Sequence, residues 1–427
     1  MCGFVYLNFI PSDISLVDIT PRGPDDNNNI VNDLGYFYHA RLITRENNIK
    51  QPSANSDGIL LYNGTEYYMN SSDTVYINNN LCNDISKNIE FIQSLDGDFA
   101  ICYVTDEHIF LAKDCFGTKP LFYGIMNKQI VVASTESTII SFGFKPFQVD
   151  PNTIMIFSRS TAKYLNKFTI INWDTTQGTT TLDDVFEAFE SSVLSRYEEP
   201  VLLNLSSGHD SGAIAACLNK HNKKYSIITL NGNENAEILI QRTKLHKGKK
   251  KIITLDTFEK NKPRKDEFPW KNFLNYSHTL TDISLCGADE AKKNSIKVIL
   301  TGTGGDELYS DYGFNGHRIM NHSVFGGYFP EDFSIISPHY TNKVYPLWLN
   351  MPAVEYVYAY HGLDTRHPLL DKKLFQKWIN TSTHIKNANY KNWLGEYFKQ
   401  LNYPYDSEYK VGAGNIPLKI PKLTETV

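Results

Sequence analysis

Cys2 stands directly behind Met1 in the opening MCGFVYLN. Cysteine is small enough for the methionine to be clipped off during synthesis. The chain would then begin with one residue carrying both an α-amine and a thiol. An α-amine titrates near 8, close to working pH, so it can act as base for its own thiol and give a nucleophile suited to an amide. Two further stretches offer a different chemistry. LNLSSGHDSG, at 203–212, follows an apolar run and leads into a helical pattern. Ser206, Ser207, Gly208 and Ser211 can present hydroxyls and N–H groups to an anion at a helix N-terminus. Asp210 would repel a bare phosphate but suits Mg2+ bridging phosphate oxygens. No Gly-Lys-Ser/Thr follows, so this is not the P-loop pattern. Alone, the turn reads as a capped strand-to-helix connection. It is repeated in KVILTGTGGDELYSDYG, at 297–313, where a glycine-rich turn carries Asp306 and Glu307. In an open parallel sheet such turns meet at the carboxyl ends of the strands. Two of them together suggest a nucleotide held by backbone groups, with Mg2+ shared by Asp210 and Asp306.

The elements that must position these residues fall into two halves. A chain of 427 residues is too long for one ordinary core, and two or three domains are expected. With 41% hydrophobic and 21% charged residues the chain is globular. A net charge of −5 gives no electrostatic case for nucleic acid or an anionic membrane. The six cysteines form no CxxC pair, which speaks against a zinc ribbon or redox dithiol and for reduced thiols in the cytoplasm. No apolar run approaches the roughly 18–20 residues of a membrane span, and no signal segment is visible. The first 165 residues read as short strands such as LGYFYHARLI, GILLYNG, DFAICYV and QIVVAS, with a helix near NDISKNIEFIQSL. Residues 171–181, INWDTTQGTTT, read as a polar linker. Beyond it LDDVFEAFESSVLSRY has a helical apolar face. Strands then alternate with helices (PVLLNLSS, SGAIAACLNKH, YSIITL, and NAEILIQRTKLHKG closed by Gly248), which indicates a parallel α/β sheet. There is no internal repeat. The last 110 residues read as mainly helical, with a loose tail after Asn415.

Taken in order, these segments resemble one family, the glutamine-dependent asparagine synthetases and their relatives. MCGFVY is similar to that family's N-terminal-nucleophile start and RGPDD to its RGPD. LDGDFAICY and LAKDCFGTKPLFYG look like its L-x-G-x-F-A-F and A-R-D-x-x-G-x-K-P-L-Y-Y. LSSGHDS is similar to its pyrophosphate loop S-G-G-x-D-S. LTGTGGDELYSDY resembles L-S-G-E-G-x-D-E-L-F-G-G-Y, and HGLDTRHPLLD resembles H-G-L-E-x-R-x-P-F-L-D. The resemblance covers nearly the whole chain. It implies an αββα N-terminal-nucleophile sandwich of antiparallel sheets at 2–170, the linker at 171–181, and an ATP-pyrophosphatase-type α/β domain with a parallel sheet at 182–427. By implication the first domain hydrolyses glutamine, the second activates a carboxylate as acyl-adenylate, and ammonia passes internally between them. Cys2 would be the nucleophile with its α-amine as base. Asn63 and Gly64 would form the oxyanion hole, Arg41 would hold the glutamine carboxylate, and Asp73 its α-amine. Leu205, Ser206, Ser207, Gly208, Asp210, Ser211 and Gly302 would bind ATP, with Asp210 and Asp306 on Mg2+. Lys410, in YKVGAG, lies where the family carries a C-terminal lysine that could neutralise charge at the adenylate and pyrophosphate. ATP and Mg2+ are the cofactors implied, with no organic prosthetic group. The partners implied are glutamine, ATP and a carboxylate acceptor such as aspartate, without nucleic acid or membrane; a homodimer is compatible.

Three departures from the family pattern matter. Ser207 replaces a loop glycine, and His209 replaces an apolar residue and is read as a surface histidine. NGTEYY replaces N-G-E-I-Y, moving the acid by one place. Thr303 stands in the acceptor-site position where asparagine synthetases carry glutamate, and threonine cannot act as a carboxylate base. The acceptor is therefore open: aspartate or a close variant, or another small acid, nucleobase carboxylate, peptide or sugar acid. Its pocket is expected near 260–290 and 310–350. Two other readings stand beside the amidotransferase. One is an amide ligase using a different amine, as in β-lactam- and lasso-peptide-forming relatives. The other is a degenerate, non-enzymatic ATP-binding relative.

Overall fold

The computed structural model describes every residue except 12–15, 17, 45–48, 70–71, 232–233, 255–277, 341–344, 411–417 and 421–427. The chain divides into two compact units, Met1–Asn172 with Tyr358–Asp364, and Trp173–Val357 with Thr365–Val427.

The first unit is built from two six-stranded antiparallel sheets. In spatial order one runs Phe147–Gln148, Phe122–Met126, Gln129–Ala133, Gly3–Leu7, Gly35–Arg41, Asp26–Asn32. The other runs Tyr164–Thr169, Thr153–Ser158, His108–Lys113, Gly97–Thr105, Gly58–Glu66, Ser53–Ala54. Side chains alternate across a strand, and here both faces are apolar. Ile59 and Leu61 join Phe4, Phe37, Cys102 and Val132 in the core between the sheets. Leu60 and Tyr62 point the other way, onto Ile77 and Ile92 of the helices Asp73–Asn80 and Ile85–Ser94. The helix Glu136–Ser141 covers the first sheet along Phe122–Met126 and Gln129–Ala133. The layering is helix, sheet, sheet, helix, as the αββα expectation required.

The second unit holds a five-stranded sheet in the order Lys250–Thr254, Ser226–Asn231, Val201–Asn204, Val298–Leu300, Asp364–Arg366. The first four strands are parallel. Both glycine-rich turns leave its adjacent central strands at their carboxyl ends, the geometry that puts a ligand site there. Thr181 caps the helix Leu182–Arg196 in a capping box with Asp184. The expected linker is held in place within this unit: Thr179 and Thr180 donate to the Asn380 carbonyl, and Trp173 packs edge-on against Phe375 at 4.8 Å. The helix Ala236–Leu245, expected to close at Gly248, ends earlier with His246 as its cap. In the tail, Leu418–Lys419 pairs with Tyr409–Lys410; most of the rest after Asn415 lies outside the described residues. All six cysteines are free thiols. Among the described residues, no helix is long and apolar enough to cross a membrane.

Candidate active sites

In the first unit, the register that pairs Gly3 with Ala40 sets Cys2 at the level of Arg41. The Cys2 backbone nitrogen donates to Asn63 Oδ1 at 2.9 Å. Asn63 is fully buried, and its Nδ2 has no hydrogen-bond partner among the described residues. The amide oxygen is committed to the cysteine nitrogen, so the NH2 is left as an open donor beside it. A buried donor costs free energy unless something accepts from it, which is the character an oxyanion hole needs. Gly64 follows because nothing larger fits: a Cβ there would lie 2.1 Å from the Asp98 carbonyl oxygen of the paired strand. Cys2, Arg41, Tyr62, Gly64, Asp73 and Thr74 line one cavity of about 60 Å³. Burial pushes the Cys2 thiol up, and the positive amino terminus and the Leu42 N–H oppose the shift. The cavity thus brings together a thiol, a guanidinium and a carboxylate.

In the second unit the two glycine-rich turns interlock. A Cβ on Gly305 would sit 2.1 Å from Asp210 Oδ1, and one on Gly302 would sit 2.8 Å from the Asp210 Cβ. Only glycine lets the second turn close over Asp210. Gly304 adopts φ +97°, a left-handed conformation that favours glycine. Leu205, Ser206, Gly208, Asp210, Ser211, Gly302, Thr303 and Asp306, all expected at the nucleotide or acceptor site, line a single cavity of about 170 Å³. Part of the region expected to form the acceptor pocket, 260–277 and 341–344, lies outside the described residues; Leu280, Ile283 and Tyr312 line the cavity. A larger cavity of about 920 Å³ opens at the amino ends of the same strands, beside Pro200, Ser226 and Lys249. None of the candidate residues lines it, so chemistry rather than size selects the smaller one.

Lys410 is buried and donates to Asp306 Oδ2 at 2.8 Å. The sequence did not point to its neighbour Lys391. Lys391 Nζ lies 2.6 Å from Asp210 Oδ1, 2.7 Å from Asp210 Oδ2 and 2.8 Å from Asp306 Oδ1, and Tyr390 donates to Asp306 Oδ1 at 2.6 Å. Burial raises the Asp210 carboxyl. It would do the same to Asp306, but Lys391 and Lys410 hold that group well below the carboxylate range. The two acids already converge on one cation. Mg2+ binds through one or two carboxylates together with substrate phosphates, so this donor pair fits it. Among the described residues no group of three or more His, Cys, Asp or Glu side chains is placed to hold a metal by itself.

The loop substitutions also have structural consequences. Ser207 gives both its N–H (2.6 Å) and its hydroxyl to Glu234 Oε2. His209 is not at the surface. It is buried, ringed by Tyr390, Phe398 and Tyr405 at 5.7–5.9 Å, and burial with Lys391 and Arg242 lowers it to about 3. The helix His209–Lys220 is buried nearly all round, and an imidazole kept neutral takes the apolar place. Beneath the loop, buried Arg242 donates to the Ser206 and Gly208 carbonyls at 2.7 Å each.

Comparison with known proteins agrees with this division. The family described as "Glutamine amidotransferase domain" matches residues 13–172, and the family described as "Asparagine synthase" matches residues 184–339. The chain therefore joins a glutamine amidotransferase domain to an asparagine synthase domain. It belongs to the glutamine-dependent asparagine synthetase family. It is similar to the putative asparagine synthetase (glutamine-hydrolyzing) 1 of Methanocaldococcus jannaschii, at 25% identity over 376 residues, 78% of this chain and 64% of that one. It is also similar to the asparagine synthetase (glutamine-hydrolyzing) 2 of Bacillus subtilis, at 29% identity over 146 residues, 30% of this chain and 19% of that one. The chain thus spans less than two thirds of either relative's length. A solved structure of an allosteric regulatory enzyme of purine biosynthesis aligns at 14% identity and a TM-score of 0.35, covering 59% of this chain and 80% of that one, a likeness too slight to argue from.

Proposed function

We propose that the chain is a glutamine-dependent, ATP-consuming amidotransferase. In this reading the first unit hydrolyses glutamine and the second turns a carboxylate into an acyl-adenylate, from which ammonia displaces AMP to give an amide. Cys2, freed of Met1, attacks the glutamine side-chain amide with its α-amine as base. Asn63 Nδ2 and the Gly64 N–H take the developing oxyanion, while Arg41 and Asp73 hold the α-carboxylate and α-ammonium. In the second unit Ser206, Gly208 and Ser211 bind the phosphates with Leu205 and Gly302 against the nucleotide, while Ser207, expected among them, gives its N–H and hydroxyl to Glu234 and does not line the cavity. Lys410 and Lys391 neutralise the departing pyrophosphate. Mg2+ held by Asp210 and Asp306 would supply charge compensation for the phosphates. The relatives' names point to aspartate as acceptor. Thr303 favours keeping a second reading, another carboxylate or another amine in the same reaction. Six cysteines, none of them in a disulfide, suit a cytoplasmic setting.

The observation that carries the reading is the contact between the Cys2 nitrogen and Asn63 Oδ1, in a cavity that also presents Arg41 and Asp73. The test is incubation with glutamine, ATP, Mg2+ and aspartate, followed by a panel of other small acids. Glutamate, AMP and pyrophosphate should accumulate. Cys2→Ala should abolish turnover with glutamine and spare turnover with ammonium chloride. If neither glutamate nor AMP appears with any acceptor, the reading is wrong. If Cys2→Ala leaves glutamine-supported turnover intact, the nitrogen comes from elsewhere.

A further inference from the structure

Thr303 does not stand alone at the acceptor end of the cavity. The Thr301 hydroxyl donates to Thr303 Oγ1 at 3.0 Å and lies 2.7 Å from His367 Nδ1. Both threonines line the cavity beside Asp210 and Gly302. Behind them His367 is fully buried, and its Nε2 lies 4.0 Å from Oε2 of Glu355, itself 1% exposed. That carboxylate oxygen also accepts from the Thr365 hydroxyl. The four groups come from three parts of the fold: Glu355 from the helix Tyr345–Tyr360, His367 from just beyond the strand Asp364–Arg366, and both threonines from the turn after Val298–Leu300. His367 also fills the position in HGLDTRHPLLD that the family pattern R-x-P leaves unspecified. Burying an imidazole beside a carboxylate is costly unless the pair is used or well compensated. Here the pair connects to the cavity through two hydroxyls, each within hydrogen-bond reach of the next.

We infer that Thr303, Thr301, His367 and Glu355 form a proton relay serving the nitrogen that attacks the activated acceptor, in place of the absent carboxylate. The inference rests on the amidation proposed above. As the nitrogen bonds to the acyl carbon, the bond to the AMP oxygen breaks and its electron pair leaves on the phosphate. The nitrogen must lose one proton to become the amide. That proton passes to Thr303 Oγ1, the Thr303 proton to Thr301 Oγ1, and the Thr301 proton to His367 Nδ1. The resulting imidazolium carries its Nε2–H toward Glu355. Each hydroxyl is both donor and acceptor, so rotating the two reverses the direction of the chain. The 2.7 Å contact between Thr301 Oγ1 and His367 Nδ1 serves both orders, one for each tautomer of the imidazole. Glu355 and Thr301 act on the substrate only through their neighbours; His367 accepts the proton and Thr303 touches the reacting nitrogen.

The test separates the two half-reactions. ATP–pyrophosphate exchange reports adenylation, and amide formation from ammonium chloride reports nitrogen attack without the glutaminase. The probes are L-aspartate and a panel of small amino acids. Thr301→Val removes the linking hydroxyl at nearly constant shape. Exchange should stay within about threefold of the wild type, while amide formation falls by about 10²–10⁴, the usual contribution of general base catalysis. His367→Gln should match that loss, and the double variant should lose no more than either single one. Thr303→Glu, which returns a carboxylate to the cavity, should recover amide formation in the Thr301→Val background. Undiminished amide formation in Thr301→Val overturns the relay. So does an equal loss of exchange and amide formation, which marks a structural role. A wild-type protein showing exchange but failing these variant tests leaves amidation standing without the relay. A wild-type protein showing neither half-reaction overturns the amidation reading and the relay with it.

Discussion

Lys391→Met should expose how the two acids of the second unit are held. The Lys391 side chain is 2% exposed, and its ammonium is within 2.6–2.8 Å of three carboxylate oxygens. Without it Asp306 still has Lys410 and the Tyr390 hydroxyl. Asp210 keeps no cation at hydrogen-bond distance among the described residues. A buried, uncompensated carboxylate takes up a proton rather than remain charged. In the wild type burial already raises Asp210 to about 6, so forcing a proton onto it costs about 1–2 kcal/mol at pH 7 and almost nothing at pH 5. The sign follows from linkage. The variant's Asp210 titrates above its unfolded value, so the folded state binds more protons than the unfolded state across this range, and stability falls as pH rises. Relative to the wild type, the variant should lose about 1–2 kcal/mol at pH 7, and the loss should fade by pH 5, where the wild-type Asp210 is itself protonated. Urea unfolding followed by tryptophan fluorescence at pH 5, 6 and 7 measures this directly, because all five tryptophans belong to the second unit. A loss that is the same at all three values, or smaller than about 1 kcal/mol at pH 7, would show that Asp210 does not depend on Lys391.

Other substitutions test the remaining contacts. Asn63→Ala should lower the glutaminase kcat by about 10²–10³ with little change in KM; steady-state kinetics showing a KM effect alone would remove Asn63 from the oxyanion hole. Gly305→Ala puts a Cβ 2.1 Å from Asp210 Oδ1. It should displace that carboxylate and weaken Mg-ATP binding at least tenfold by calorimetry, and wild-type affinity would mean the acid plays no part in holding nucleotide. Arg242→Met leaves the Ser206 and Gly208 carbonyls without their buried donor. It should cost about 2–4 kcal/mol of stability in the second unit and raise KM for ATP; destabilisation with KM unchanged would limit Arg242 to a packing role.

Much of the architecture was readable because the signals are local. Strands buried on both faces give continuous apolar runs, and a glycine-rich turn between an apolar strand and a helix marks the carboxyl edge of a parallel sheet. Gly302 and Gly305 could be located as turn residues, but their reason could not. Each is glycine because Asp210, nearly a hundred residues earlier, comes too close for a Cβ. Asn63-Gly64 has the same ambiguity: in sequence it looks like a hairpin turn, whereas in the fold it lies inside the strand Gly58–Glu66, opposite Ala100 and Phe99. His209 was misread because its type was weighed without its helix. A helix apolar along 213–218 is buried on all sides, and its first residue is buried with it.

Lys391 shows where local reading stops. It lies 181 residues from Asp210 in a stretch, NYKNWL, with no motif of its own. Its one distinguishing property is conformational: it sits at φ +45° as the cap of the helix Asn392–Leu401, a left-handed position that a side chain with a Cβ rarely takes. Holding a lysine there costs on the order of 1–3 kcal/mol, a cost that the ion pairs with Asp210 and Asp306 can offset. Lys410 meets Asp306 from the other side, so two acids face two ammonium groups and the cluster has no net charge. A bare divalent ion would have to compete with lysines already in contact. A nucleotide that brings its own phosphate oxygens gives those lysines new partners and frees the carboxylates for the metal. Under the proposed function ATP and metal would therefore enter together, and Lys391, the residue least visible in the sequence, would couple them.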